Sequence, residues 1–371
     1  MKIARVDTFP LFYPLKQPYG DANGYKRYRS LFLIRITTQS GVVGWGECSG
    51  WLPVLKKQFE DRIIPYLIGK QALSRLPLVD HIKQLHQRAA AGVSMALTEI
   101  AANESRLSLC ELWGGSWRNS LPVYASFQSY TEHEDWIKHS LDVVEKTVNS
   151  GFTQVKVKVG GKPLKEDRSH IEKLQERFSD SCGMILDANQ SYDYATACKW
   201  DRVFSQWDNI LWFEEPLPLN RISDYKMLRT RLSVPIAGGE DLKNSEAFLS
   251  LLREGAIDIT QPDPAHEEGL DEYRHTLLLS RHFGIRTSPH TFDGALSRLY
   301  ALFAQACLPP WSKMEQQNIE PVEWDVMDNP FTAITPVQLS SGMVTIPTGI
   351  GIGMELDEDI LKFYLWDGST F

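Results

Sequence analysis

The chain of 371 residues is short of several things, and each shortage closes off a class of function. Cysteine is scarce: Cys48, Cys110, Cys182, Cys198 and Cys307 make an odd set with no Cys-x-x-Cys pair, which speaks against a disulfide framework and a thiolate zinc site. No apolar run reaches the ~18 residues a membrane span requires. The start, Met1-Lys2-Ile3-Ala4-Arg5, lacks the charged-then-apolar order of a secretory leader, so a cytoplasmic protein with reduced thiols is expected. Basic charge is in deficit, with a net charge of −8, which argues against a nucleic-acid or anionic membrane partner. Val159-Gly160-Gly161-Lys162-Pro163 lacks the spacing and the Ser or Thr of a phosphate-binding loop. Neither a Pro-rich linker nor a sequence repeat divides the chain.

What is present is a rhythm. Val155-Lys156-Val157-Lys158-Val159 alternates with period two, so its valines face one side and both lysines the other. After Lys158, polar residues end apolar runs at Asp187, Glu214, Glu240, Asp263 and His290, with gaps of 23 to 29 residues counted from Lys158, the length of one strand plus one helix. In a (β/α)8 barrel the C-terminal ends of all strands meet at one face, so residues in this phase converge on one pocket.

Strands are predicted at 122–126, 153–159, 183–188, 210–214, 234–239, 257–262, 285–289 and 321–325, with helices between them, among them 165–178 and 191–207. Before the barrel, alternating stretches at 3–11, 31–37 and 42–48 predict a small antiparallel sheet, with Tyr19 to Gly24 as a mobile loop between the first two. Helical spacing then runs from about 58 to 112. The division expected is an α+β domain at 1–120, a barrel at 121–334, and a Gly- and Pro-rich tail at 335–371 that returns to the first domain. Tyr19 and Lys26 in the first loop and Trp51 in a second are candidates for a substrate lid.

The chemistry follows from charge. Asp187, Glu214 and Glu240 come from three consecutive strands, and three like charges brought together call for a cation. All-oxygen ligation suits a hard ion, and Mg2+ keeps positions open for water or substrate. Glu215, one residue out of phase with Glu214, is the alternative at that strand. Lys158 is a candidate base, its pKa expected to fall through burial and the nearby charge of Lys156, which would hold a substrate carboxylate. His290 and Asp263 end adjacent strands and are expected to pair, the carboxylate fixing the imidazole tautomer. His266, His275 and His282 are expected to be solvated.

Together, Lys156-x-Lys158, Asp187-x-Asn189, Glu214-Glu215-Pro216, Gly239-Glu240, Asp263, Pro289-His290 and Gly44-Trp45-Gly46-Glu47 resemble the enolase superfamily and its mandelate racemase subgroup. The resemblance spans nearly the whole chain. It implies a modified (β/α)7β TIM barrel under a capping domain formed by the N-terminal part and the C-terminal tail. It implies one Mg2+ on Asp187, Glu214 and Glu240, with Asn189 near it, and Lys158 and the Asp263–His290 dyad as acid/base groups on opposite substrate faces. Glu323 matches the family's hydrogen-bonding acid on the last strand, with Glu315 as its rival. The muconate-lactonizing subgroup would place a lysine at the end of strand six, where this chain has none. The function implied is proton abstraction α to a carboxylate, as in dehydration of a sugar acid to a 2-keto-3-deoxy acid. Racemisation or epimerisation of a 2-hydroxy acid and sugar-acid cycloisomerisation are the alternatives, and a non-catalytic sensor would have lost a ligand or base. An even-numbered homo-oligomer is the assembly the resemblance implies.

Overall fold

The first strands form a long hairpin. In a computed structural model describing residues 1–314 and 318–369, β1 (Ile3–Asp21) pairs antiparallel with β2 (Gly24–Thr38) all the way to Asp21↔Gly24, and β3 (Val43–Cys48) pairs with β2 on its other side. The segment expected to be a mobile loop, Tyr19 to Gly24, is therefore the hairpin tip. Its turn is tight: Asn23 N donates to Asp21 Oδ1 at 2.7 Å, and Gly24 takes φ 122°, a region where a side chain is strained. β5 (Tyr130–Thr131) pairs with Tyr19 and Gly20, tying the tip to the barrel.

The sheet buries one face under helices. Phe32, Ile34 and Ile36 alternate along β2 and pack with Leu97, Ile100 and the apolar side of 52–82. Gly44 and Gly46 of β3 are required by closeness: an added Cβ would stand 2.0 Å from Ala96 O and 1.9 Å from Gly92 O of the helix Gln87–Ser105.

The second layer is eight parallel strands alternating with helices. They are β4 (Ser120–Ser126), β6 (Gln154–Lys158), β7 (Gly183–Asp187), β8 (Ile210–Glu214), β9 (Ile236–Gly238), β10 (Ile259–Thr260), β11 (Arg286–Thr287) and β12 (Val322–Asp325). Pairing runs from β12 through β4, β6, β7, β8, β9 and β10 to β11. The first and last of these meet through Glu323 N to Pro289 O at 3.2 Å and Ser288 Oγ to Pro321 O at 2.6 Å. Tyr124, Ile185, Trp212, Ala237 and Ile259, one from each of five strands, fill the interior as one cluster. Val155, Val157 and Val159 face outward into the core shared with Ile171, Leu174 and Phe178.

Two local expectations change. The helix predicted over 191–207 is broken into Tyr194–Ala197, a 3-10 turn at Cys198–Trp200, and Asp201–Phe204; the tightened turn sets fully buried Trp200 among Phe204 and Phe213. The tail touches both layers. β13 (Leu339–Ser340) and β14 (Met343–Thr345) form a hairpin whose second strand pairs antiparallel with the start of β4. Beyond it, Gly351 bonds to Leu107 and Leu109, and Tyr364 and Trp366 bond to Phe12 and Pro10 of β1. No helix among the described residues is long and apolar enough to cross a membrane.

Two sets of polar contacts fasten the sheet layer to the barrel. Glu47, buried at the end of β3, accepts from the backbone N–H of Ala295 (2.9 Å), Leu296 (2.7 Å) and Ser297 (3.2 Å) and from Ser297 Oγ (2.7 Å), capping the helix Leu296–Ala306 from another part of the chain. Arg29 of β2 is 1% exposed; it pairs with Asp325 at 2.8 Å and with Asp293, which Lys26 also grips. Asp293 itself sits at φ 73°, a conformation that a non-glycine residue holds only under such restraint.

Candidate active site

The register of the barrel builds half of the site directly. Lys158, Asp187 and Glu214 are opposite one another across β6, β7 and β8, so three side chains of one layer emerge together at the C-terminal ends. Lys158 Nζ lies 2.5 Å from Asp187 Oδ2. Lys156 Nζ, one layer deeper and fully buried, lies 2.6 Å from Glu214 Oε1, 2.7 Å from Glu323 Oε1 and 3.4 Å from Asp187 Oδ2. Glu214 Oε2 also accepts from Gln261 Nε2 (2.7 Å) and Trp212 Nε1 (3.1 Å).

The other half stands beyond the strand ends. His290 Nδ1 is 2.7 Å from Asp263 Oδ2, whose Oδ1 accepts from Ala265 N at 2.7 Å. Its Nε2 is 3.3 Å from Glu240 Oε2 and 3.5 Å from Glu323 Oε2, and Glu323 Oε2 accepts from Thr291 N at 3.0 Å. The expected pair is thus in hydrogen-bond contact, with Glu323 reaching both Lys156 and His290. Glu315 lies outside the described residues.

A cavity of about 680 Å3 opens over these groups. Lys158, Asn189, Glu240, Asp263 and His290 line its floor; Tyr19 and Lys26 of the hairpin and Trp51 line its wall. Tyr19 is buried with its ring 5.2 Å from the Arg29 guanidinium, Lys26 is held by Asp293, and Trp51 is 61% exposed at the rim.

Carboxylate oxygens of Asp187, Glu214 and Glu240 lie within 4.8 Å of one another. The donor set is oxygen only, and Asn189 Oδ1 is buried with no hydrogen-bond partner. Burial pushes the Glu214 carboxyl up to about 7 despite Lys156, with Asp187 and Glu323 adding to the rise. Excess negative charge in so dry a place fits a hard divalent cation. Glu215 does not join the cluster. It turns away at φ 39° to accept from Gln190 Nε2 and Gly239 N, and burial, then Glu240 and Asp187, raise its pKa well above the usual range.

The charge states differ in part from expectation. Burial, the largest single influence, lowers Lys158, but Asp187, Asp21 and Glu240 together outweigh burial and Lys156, so the lysine is held above its ordinary value and not brought toward neutrality. Asp187 is correspondingly held below the carboxylate range: burial raises it, and Lys158 and Lys156 outweigh burial. Burial likewise opposes Lys156, which Glu214 and Glu323 keep well above its ordinary value. Glu323 falls to about 2, burial being overcome by Lys156 and His290. Burial lowers His290, but Glu240, Glu323 and Asp263 raise it well above its ordinary value. These three carboxylates favour the protonated imidazole.

One histidine departs from expectation. His266, expected to be solvated, lines the cavity with its side chain 17% exposed and its ring centroid 6.0 Å from that of His290. Its position three residues after Asp263, on a turn closed by His266 N to Asp263 O (3.0 Å), is a signal that strand phase cannot carry.

An enolase C-terminal domain-like family model matches residues 140–360, and a mandelate racemase and muconate lactonizing enzyme N-terminal domain model matches residues 5–114. The D-galactarolactone cycloisomerase of Agrobacterium fabrum is 29% identical over 97% of this chain and 98% of its own. The arabinonate dehydratase of Saccharolobus solfataricus is 26% identical over 89% of each. A racemase from Streptomyces coelicolor, solved with bound magnesium, has TM-score 0.86 at 21% identity and covers 98% of this chain and 100% of its own; at that identity the likeness concerns the fold.

Proposed function

The chain belongs to the enolase superfamily, within its mandelate racemase and muconate lactonizing enzyme family, and from that premise we propose that it removes the proton α to the carboxylate of a polyhydroxylated acid and expels the oxygen on the next carbon. The observation that carries this reading is that Lys158 and His290, from the second and seventh barrel strands, line one cavity, Lys158 touching Asp187 and His290 touching Glu240 of the carboxylate cluster.

Asp187, Glu214 and Glu240 would hold the magnesium ion that superfamily members use, with Asn189 near it. When bound, the ion would supply positive charge that stabilises the negative charge developing on the substrate carboxylate, and Asp187, shared with it, would hold the Lys158 proton less firmly. Lys158, once neutral, takes the α-proton, and Lys156 stays charged beneath the site. His290, as imidazolium, protonates the departing oxygen; Asp263 fixes its tautomer and Glu323 its orientation. The α C–H and β C–O bonds break, the C=C bond forms, and the enol becomes the 2-keto-3-deoxy acid. If the oxygen is a hydroxyl, water leaves and the reaction is a dehydration.

A second reading is favoured by the cycloisomerase relative. If the oxygen belongs to a lactone or anhydro ring, the same steps open the ring and nothing is lost. Proton exchange between Lys158 and His290 alone would instead epimerise a 2-hydroxy acid.

Proton NMR and mass spectrometry in D2O with Mg2+, over a panel of aldonic and aldaric acids, their lactones and simple 2-hydroxy acids, separate these readings. A 3-deoxy-2-keto product lighter than its substrate by one water is expected. An isomeric product from a lactone would replace dehydration by ring opening. Deuterium at the α-carbon with no product would indicate epimerisation, and inertness over the whole panel would remove the proposed substrate class.

A further inference from the structure

We infer that His266 is a substrate-contacting residue that reads a hydroxyl group of the acid on the His290 side of the cavity. This rests on the β-elimination reading above and adds a specificity element to it.

Four observations lead there. His266 Nδ1 is 2.8 Å from the backbone carbonyl of Glu240, which can only accept, so Nδ1 carries the proton. Asp241 Oδ1, at 3.8 Å from the same nitrogen, favours the same assignment. Nε2 has no protein hydrogen-bond partner among the described residues, and the ring lines the cavity beside His290. The backbone is braced from both layers: His266 N donates to Asp263 O, and Gln87 Nε2 of the capping layer donates to His266 O at 2.6 Å. A ring fixed this firmly, with one nitrogen committed to the protein and the other facing the cavity, is set up to recognise a ligand.

The tautomer decides which ligand. With Nδ1 committed to the Glu240 carbonyl, Nε2 is the ring atom left to meet a ligand, and a hydroxyl, which both donates and accepts, can pair with it where an ether or carbonyl oxygen can only accept. The group read is therefore a free hydroxyl. A substrate lacking it would leave Nε2 desolvated and unpaired, which is how a site built for a hydroxyl rejects its deoxy analogue.

The test uses the two amides that imitate the two nitrogens. His266→Asn can keep the bond to Glu240 O but loses the Nε2 position; His266→Gln places an amide near Nε2. For a panel acid that the protein turns over, kcat and KM are measured with the parent and with analogues deoxygenated one position at a time. H266N is expected to lower kcat/KM for the parent by about 10- to 100-fold, mostly through KM, and to abolish the preference over one particular deoxy analogue. H266Q should recover part of both, with thermal midpoint and Mn2+ affinity unchanged in either variant. Retention of the wild-type preference in H266N overturns the inference. So does an equal loss in both variants accompanied by a lower midpoint, which would make the histidine a brace for the Glu240 loop. If no acid is turned over, the elimination reading falls separately, and saturation-transfer NMR with D-galactonate and its deoxy analogues reads the same preference as binding. Absence of binding, or a preference unchanged by H266N, then overturns this inference too.

Discussion

The two halves of the barrel mouth are held in place by different means. Lys156, Lys158, Asp187 and Glu214 lie within strands of five residues, locked by the register between β6, β7 and β8. Glu240, Asp263 and His290 lie two or three residues beyond strands that are themselves only two or three residues long. What fixes them is side-chain bonding and the capping layer: Lys26 and Arg29 grip Asp293, and Glu47 grips the start of the following helix. The strand half is thus a property of the barrel. The loop half belongs to the barrel and its cap together, and lesions in the two should be separable.

The largest separation is expected from Lys158→Met. Product formation should fall by about 10^3-fold or more, while Mn2+ affinity followed by paramagnetic resonance stays close to wild type. Turnover within tenfold of wild type would place the base elsewhere. Asp187→Asn attacks the same half from the other side: the Mn2+ dissociation constant should rise by about 100-fold, with little change in thermal midpoint. An unchanged constant would remove Asp187 from the cation site.

Lesions at His290 and Asp263, the members of the loop half outside the carboxylate cluster, should spare the cation. His290→Asn is expected to lower product formation by about 10^2-fold while α-deuterium exchange persists; loss of both together would make His290 the base for the α-proton. Asp263→Asn should cost less, about tenfold, and carries a pH signature. Because Glu240, Glu323 and Asp263 raise the His290 pKa in the fold, turnover should decline only as pH rises past that raised value. Removing the Asp263 charge lowers the value, so the alkaline limb of the rate profile should move to lower pH. A limb that stays in place would assign it to another group. Smallest in rate and largest in stability is Glu47→Ala, which strands three backbone donors at a cost of about 2–4 kcal/mol. A lower melting temperature and a few-fold slower elimination, with unchanged Mn2+ affinity, are expected; a weaker Mn2+ site would show that the halves are not separable.

The same division explains what could be read in advance. Period-two alternation and the spacing of Asp187 and Glu214 fixed the strand half, because a side chain within a strand has only two faces to choose between. His266 was missed because its place depends on a turn and on the Glu240 carbonyl, neither of which leaves a periodic trace. The charge of Lys158 was misjudged because burial and Lys156 were weighed without the Asp187 oxygen at 2.5 Å. The hairpin tip read as a loop because Gly20 and Gly24 mark turns and strand ends alike; its pairing with β5 is a contact across more than a hundred residues. Glu47 stood out only through its Gly-Trp-Gly-Glu setting, and nothing local announced that it caps a helix some 250 residues away.

That carboxylate also limits how this protein can be recombined with its kin. An added Cβ at Gly294 would sit 1.9 Å from Ser297 Oγ and 3.0 Å from Glu47 Oε1, so a side chain there must displace the hydroxyl that bonds Glu47. Residues 47, 294 and 297 therefore form one contact unit in this chain. A chimera that imports a foreign N-terminal sheet without the matching 294–297 turn joins two parts whose shared fastening has been cut. Paired exchange of sheet and turn should restore the melting temperature that exchange of the sheet alone depresses.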